Sequence, residues 1–150
     1  MGDNTSTHVP QSSSKSNLAL KSLDRLVGTW KAADPSGARA IMGQTTYEWL
    51  QGGYFLLQYV DFDTAKGIEI VGYDEESASL KSHYFDQAGD ILEYTYEIKD
   101  DAITISIDML RYKGQFSGRF RDDGNTYTGR WEWTRDDVKM GYDATMTRVK

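Results

Sequence analysis

The chain has 150 residues, 39% hydrophobic and 27% charged, which suits one globular domain and leaves no room for two well-cored ones. A net charge of −6 and a pI near 4.9 set its surface against phosphate backbones, so nucleic acid is not an expected partner. The absence of cysteine excludes disulfides, thiolate metal sites and a cysteine nucleophile.

Residues 1–16 are rich in Ser, Thr, Asn and Gly and carry almost nothing apolar, so they read as a disordered tail ahead of a folded domain at 17–150. Met1-Gly2-Asp3-Asn4-Thr5-Ser6 matches an N-myristoylation pattern, and whether Gly2 is lipidated is left open. The N-terminus lacks the apolar region of a secretory signal, and no run approaches the roughly 20 residues of a membrane helix. The expectation is a cytoplasmic protein with no membrane partner. Asn17 is placed to cap a short helix whose apolar face comprises Ala19, Leu20, Leu23, Leu26 and Val27, with Gly28 as its stop.

Beyond Gly28 the period changes to two. Leu92, Tyr94, Tyr96 and Ile98 alternate with polar residues, as do Ile103, Ile105, Ile107 and Met109, then Phe116 and Phe120, then Tyr127, Trp131 and Trp133. Turn-forming clusters such as Gln51-Gly52-Gly53, Gln87-Ala88-Gly89-Asp90 and Asp136-Asp137 separate them. Ten strands are predicted, near 28–33, 39–50, 53–62, 67–73, 77–86, 90–98, 102–109, 113–121, 125–134 and 138–149. Short connections make sequential neighbours pair as a meander. Ten one-sided strands must hide an apolar face, and a sheet closing on itself does so while removing both edges. The fold class is therefore all-β, a single up-and-down antiparallel barrel with a short N-terminal helix. A two-sheet sandwich competes but needs longer crossovers.

Gly28-Thr29-Trp30, opening the first strand after a short helix, together with Arg148 in the last strand, resembles the calycin group of lipocalins, fatty-acid-binding proteins and nitrobindin-like barrels. The resemblance implies that Trp30 closes one barrel end with Arg148 lying across its ring. A closer likeness spans about Leu20 to Val149. It is carried by Trp49-Leu50-Gln51-Gly52-Gly53-Tyr54-Phe55-Leu56, Gly72-Tyr73-Asp74-Glu75-Glu76, Ser82-His83-Tyr84-Phe85-Asp86 and Gly129-Arg130-Trp131-Glu132, and is to a family of uncharacterised, mainly bacterial lipocalin-like proteins. Nitrobindin-like barrels bind haem through a histidine in the C-terminal part. Residues 138–149 hold Met140 and Met146 but no histidine, so no haem or other cofactor is expected.

The predicted interior mixes bulk with gaps: Tyr94, Tyr96, Tyr127, Trp131, Trp133, Met140 and Tyr142 supply surface, while Gly118, Gly129 and Ala144 leave space. Buried tyrosines need hydrogen-bond partners, which suggests an amphipathic cavity rather than a solid core. Catalytic candidates are confined to His83 and Glu48. His83 is a hydrogen-bond donor or base at the barrel mouth, or else a surface histidine. Glu48 is expected either inward with Gln44 and Thr46, where desolvation would raise its pKa, or as a rim carboxylate. Gln58, beside Leu56 and Val60, is a further polar anchor. No phosphate loop, metal motif or serine elbow is present.

The leading expectation is a non-enzymatic binding protein for a small hydrophobic or amphipathic molecule. A barrel enzyme, such as an isomerase, cyclase or hydrolase of a small secondary metabolite, is the alternative. A solid-core dimerisation module is the third reading, and a homodimer is left open.

Overall fold

A computed structural model describes residues 14–33 and 43–150. The lipidation pattern and most of the polar N-terminal stretch lie outside the described residues, as does the start of the strand expected from 39. The helix α1, Ser14–Ser22, is followed by a 3-10 turn at Leu23–Leu26. It starts earlier than expected, so Asn17 lies within the helix rather than ahead of it.

Ten strands follow: β1 Gly28–Ala33, β2 Gly43–Trp49, β3 Phe55–Phe62, β4 Lys66–Asp74, β5 Ser79–Asp86, β6 Ile91–Lys99, β7 Ala102–Asp108, β8 Tyr112–Arg121, β9 Thr126–Arg135 and β10 Val138–Arg148. Each pairs antiparallel with its sequence neighbour, and β1 also pairs with β10, so the sheet closes without an edge. Period-two alternation makes such strands, because successive side chains point to opposite faces. The Asp136-Asp137 connection, with φ of 51° and 69°, is a two-residue hairpin whose positive angles match the twist of the flanking strands.

The 3-10 turn plugs one end of the barrel. Leu23 and Leu26 are wholly buried there, with Ala19, Leu20 and Val27 packed against the same core. Trp30 is wholly buried beneath them and donates from Nε1 to the Leu26 carbonyl at 2.8 Å. Arg148 sits beside it in register on β10, its guanidinium 4.2 Å from the Trp30 ring centre. Gly28 has φ of 122°, and a Cβ there would approach Arg148 Nη1 to 2.8 Å. The Gly-x-Trp pattern thus reflects two demands, a left-handed backbone and room for a guanidinium. Arg25 ties the plug to the β6–β7 turn through the Asp100 carbonyl at 2.6 Å and Asp101 at 3.2 Å.

Of the two orientations left open for Glu48 the outward one is observed, and the expected glycine gaps are corrected. Thr45 and Tyr47 point inward on β2, so Gln44, Thr46 and Glu48 face out. Gly118 and Gly129 face each other across β8 and β9, but the room beside them is taken by Phe116. Its ring would lie 2.7 Å from a Cβ at 118 and 2.6 Å from one at 129. These glycines seat an aromatic ring rather than leave a gap. Outside, Tyr59, Ile68, Phe85 and Ile91 form an exposed apolar row in lateral register across β3, β4, β5 and β6. Among the described residues no helix is long and apolar enough to cross a membrane.

Candidate functional site

A cavity of about 820 Å³ occupies the barrel between the plugged pole and a rim that includes the β3–β4 turn and the start of β10. The interior is therefore not solid. Two chemically different walls enclose it.

The first wall is aromatic and belongs to β6, β8, β9 and β10. Lateral register places Tyr96, Ile105, Phe116, Trp131 and Tyr142 in one row across β6 to β10. A continuous series of ring contacts runs from the plug towards the mouth. Trp30 meets Tyr127 at 4.8 Å, Tyr127 meets Phe116 at 6.2 Å, Phe116 meets Trp131 at 5.3 Å, and Trp131 meets Tyr94 at 6.0 Å. Nearer the rim, Trp133 and Tyr142 pack edge to face at 5.7 Å, with Met140 beside them and partly exposed. Edge-to-face packing fixes ring orientation, so this wall is largely set before any ligand arrives.

The second wall is polar and belongs to β2, β3, β4 and β5. In one lateral row stand Tyr47, Gln58, Glu69 and Tyr84. Glu69 is only 3% exposed. It accepts hydrogen bonds from Tyr96 at 2.7 Å on Oε1 and from Ser82 at 2.5 Å on Oε2. Tyr47 and Tyr127 stand with this pair along the cavity lining. Gln58 donates to Thr45 Oγ1 at 2.8 Å. Every buried side-chain N or O atom of the described residues has a partner, as low-dielectric interiors require.

Burial pushes the Glu69 carboxyl up to about 7, against the pull of its Ser82 and Tyr96 hydrogen bonds. Ionised and protonated forms therefore coexist near neutrality. The surrounding phenols respond in the opposite sense to a reactive group. Burial raises Tyr47, Tyr84, Tyr94, Tyr96 and Tyr127 well above the usual phenol range, and Tyr142 to about 12, so all stay neutral.

Of the residues singled out from sequence, Gln58, Tyr94, Tyr96, Tyr127, Trp131, Trp133, Met140 and Tyr142 all line this cavity. His83 and Glu48 do not. His83 is exposed on the outer wall, 3.5 Å from Glu93, because β5 turns Leu80, Ser82 and Tyr84 inward. Glu48 is also exposed, its carboxylate 3.4 Å from the Tyr59 hydroxyl. The carboxylate that does face the cavity, Glu69, escaped notice because Ile68 and Ile70 flank it and claim the inner face by hydropathy. Both isoleucines lie outside, and Val71 and Tyr73 share Glu69's parity. The inner face of β10 carries Met140, Tyr142, Ala144 and Met146, and His83 points away, so among the described residues no imidazole lines the cavity.

A closed ten-strand antiparallel barrel with a helical plug is consistent with a calycin-like fold. Compared with known proteins, the chain matches no family model and no curated protein sequence.

Proposed function

We propose that this protein is a lipocalin-like carrier or sensor that holds a small amphipathic molecule inside the barrel. The supporting observation is the cavity itself, preformed, with one pole plugged and with aromatic surface facing a hydrogen-bonded polar wall. Concave, mostly apolar sites with a few fixed polar groups are where proteins bind small molecules. The apolar body of the ligand lies against Trp131, Trp133, Tyr94 and Tyr142. Its polar end is met by Gln58 and the Glu69–Tyr96 pair. The test is titration with the neutral fluorophore N-phenylnaphthylamine. Saturable enhancement is expected, with affinity about tenfold weaker in Trp131→Ala because a large aromatic contact is lost. Equal affinity in the variant would remove Trp131 from the pocket.

A second reading, a barrel enzyme, draws on Glu69, since a carboxyl titrating near neutrality inside a cavity suits acid–base work. Against it, both Glu69 oxygens are engaged by hydroxyl donors. Among the described residues the groups facing it are phenols, one serine and Gln58, all neutral at physiological pH. Binding is the better-supported reading.

A further inference from the structure

We infer that the cavity selects small lipophilic amines, held as ammonium ions by Glu69 while the aromatic wall takes their apolar body. This rests on the reading that the cavity binds small molecules, and it names their class.

The placement of charge carries the inference. In the ring of ten strands, β9 stands five strands from β4 in either direction, so Trp131 and Trp133 rise from the wall opposite Glu69. Among the described residues no cation of the inner wall pairs with that carboxylate. Lys139 lies exposed at the rim, and Arg148 is committed to the plug. Among the described residues, what faces Glu69 is neutral: Tyr47 from β2, Gln58 from β3, Ser82 and Tyr84 from β5, Tyr94 and Tyr96 from β6, and Tyr127 from β9.

An ionised carboxylate out of water must be protonated or find a cation. Ser82 and Tyr96 each donate one hydrogen bond, to different oxygens, so each oxygen keeps a lone pair for an ammonium N–H. The phenol and indole faces around the cavity attract a cation further. An anionic amphiphile meets the reverse situation, a buried acid and, among the described residues, no interior base to receive its head. The acidic protein as a whole, at −6, also favours approach of cations.

The test compares three probes of one shape by isothermal titration calorimetry: phenylbutylamine, phenylbutanol and phenylbutyrate. The wild-type protein should bind the amine about tenfold or more tightly than the alcohol, the worth of a charge-assisted hydrogen bond, with the carboxylate weakest. As pH falls below about 7, amine binding should weaken and release a proton from Glu69, while alcohol binding stays level. Glu69→Gln should bring amine binding down to the level of the alcohol and remove its pH dependence, and a cooperative thermal unfolding transition shows that the variant is folded. Trp131→Ala should weaken the amine and alcohol together, leaving their ratio unchanged. Equal binding of all three probes, or an amine preference that survives Glu69→Gln, overturns the amine assignment and leaves the binding cavity standing. If none of the three binds, the cavity reading falls and the amine assignment with it.

Discussion

The guanidinium of Arg148 lies over the indole of Trp30, 4.2 Å from the ring centre, joining the last strand to the first. The same group donates to the carbonyls of Val27, Arg25 at 3.0 Å and Gly124 at 3.2 Å, and to Asn125 Oδ1 at 3.1 Å. Barrel closure and helical plug thus meet in one side chain. Arg148→Ala should lower stability by about 3 kcal/mol, since it removes a cation–π contact and strands several carbonyls. Arg148→Lys should restore less than half, because an ammonium lacks the planar fork. Urea denaturation of the three proteins measures both.

Glu69 gives the protein a pH dependence of unusual sign for a carboxylate. Its folded pKa of about 7 lies above the ordinary 4.5, so the folded state holds a proton that the unfolded chain has lost between those values. Its contribution is fully present below pH 4.5 and is lost as pH rises to about 7, a change of about 3 kcal/mol at 1.36 kcal/mol per unit. Glu69→Gln should therefore be more stable than wild type at pH 8, by an amount that shrinks towards zero near pH 4.5. Thermal unfolding of both proteins across this range would refute the assignment if the two curves stayed parallel.

The glycines that look like gaps are predicted to be intolerant of substitution. Gly129→Ala would drive a methyl group into the Ser117 carbonyl, the Gly118 backbone and the Phe116 ring. Overpacking against backbone costs about 1–3 kcal/mol, and the Phe116 ring should shift towards Trp131. Gly53→Ala serves as the contrast for crowding: no atom lies near its Cβ, although its φ of 78° carries a strain cost of its own. Melting temperature measures the stability loss, and tryptophan fluorescence should change for Gly129→Ala alone.

His83 and Glu48 provide the negative control for the site. Both stand on the outer wall, so His83→Ala and Glu48→Gln should leave N-phenylnaphthylamine affinity within about twofold of wild type, the scatter expected of surface changes. A marked loss for either would place part of the binding surface outside the barrel.

Much of the barrel is written in local pattern. Alternation such as Leu92-Glu93-Tyr94-Thr95-Tyr96 makes a half-buried strand wherever it is placed, and Asp136-Asp137 makes a hairpin because both residues accept positive φ. Strand number and meander order follow from such signals, whereas the pairing of Trp30 with Arg148 was implied by the resemblance of Gly28-Thr29-Trp30 and Arg148 to the calycin group. The aromatic wall was legible for the same reason, since Tyr127, Trp131 and Trp133 alternate with polar residues and only one face can be buried.

The polar wall was legible only in Gln58, and Glu69 shows why. Along β4 apolar residues occupy both parities, so the pattern leaves two orientations open, differing by one residue. Closure of the ring makes the choice. The β3–β4 turn sets Gln58 opposite Glu69 and Tyr59 opposite Ile68, and β5 then brings Tyr84 beside the carboxylate. Ser82 and Tyr96 arrive from sequence distances of 13 and 27 residues. Local sequence determined that there would be a barrel with an aromatic side. Only the register between strands decided which acid faces the cavity, because burial and pairing of a charge are properties of the assembled wall.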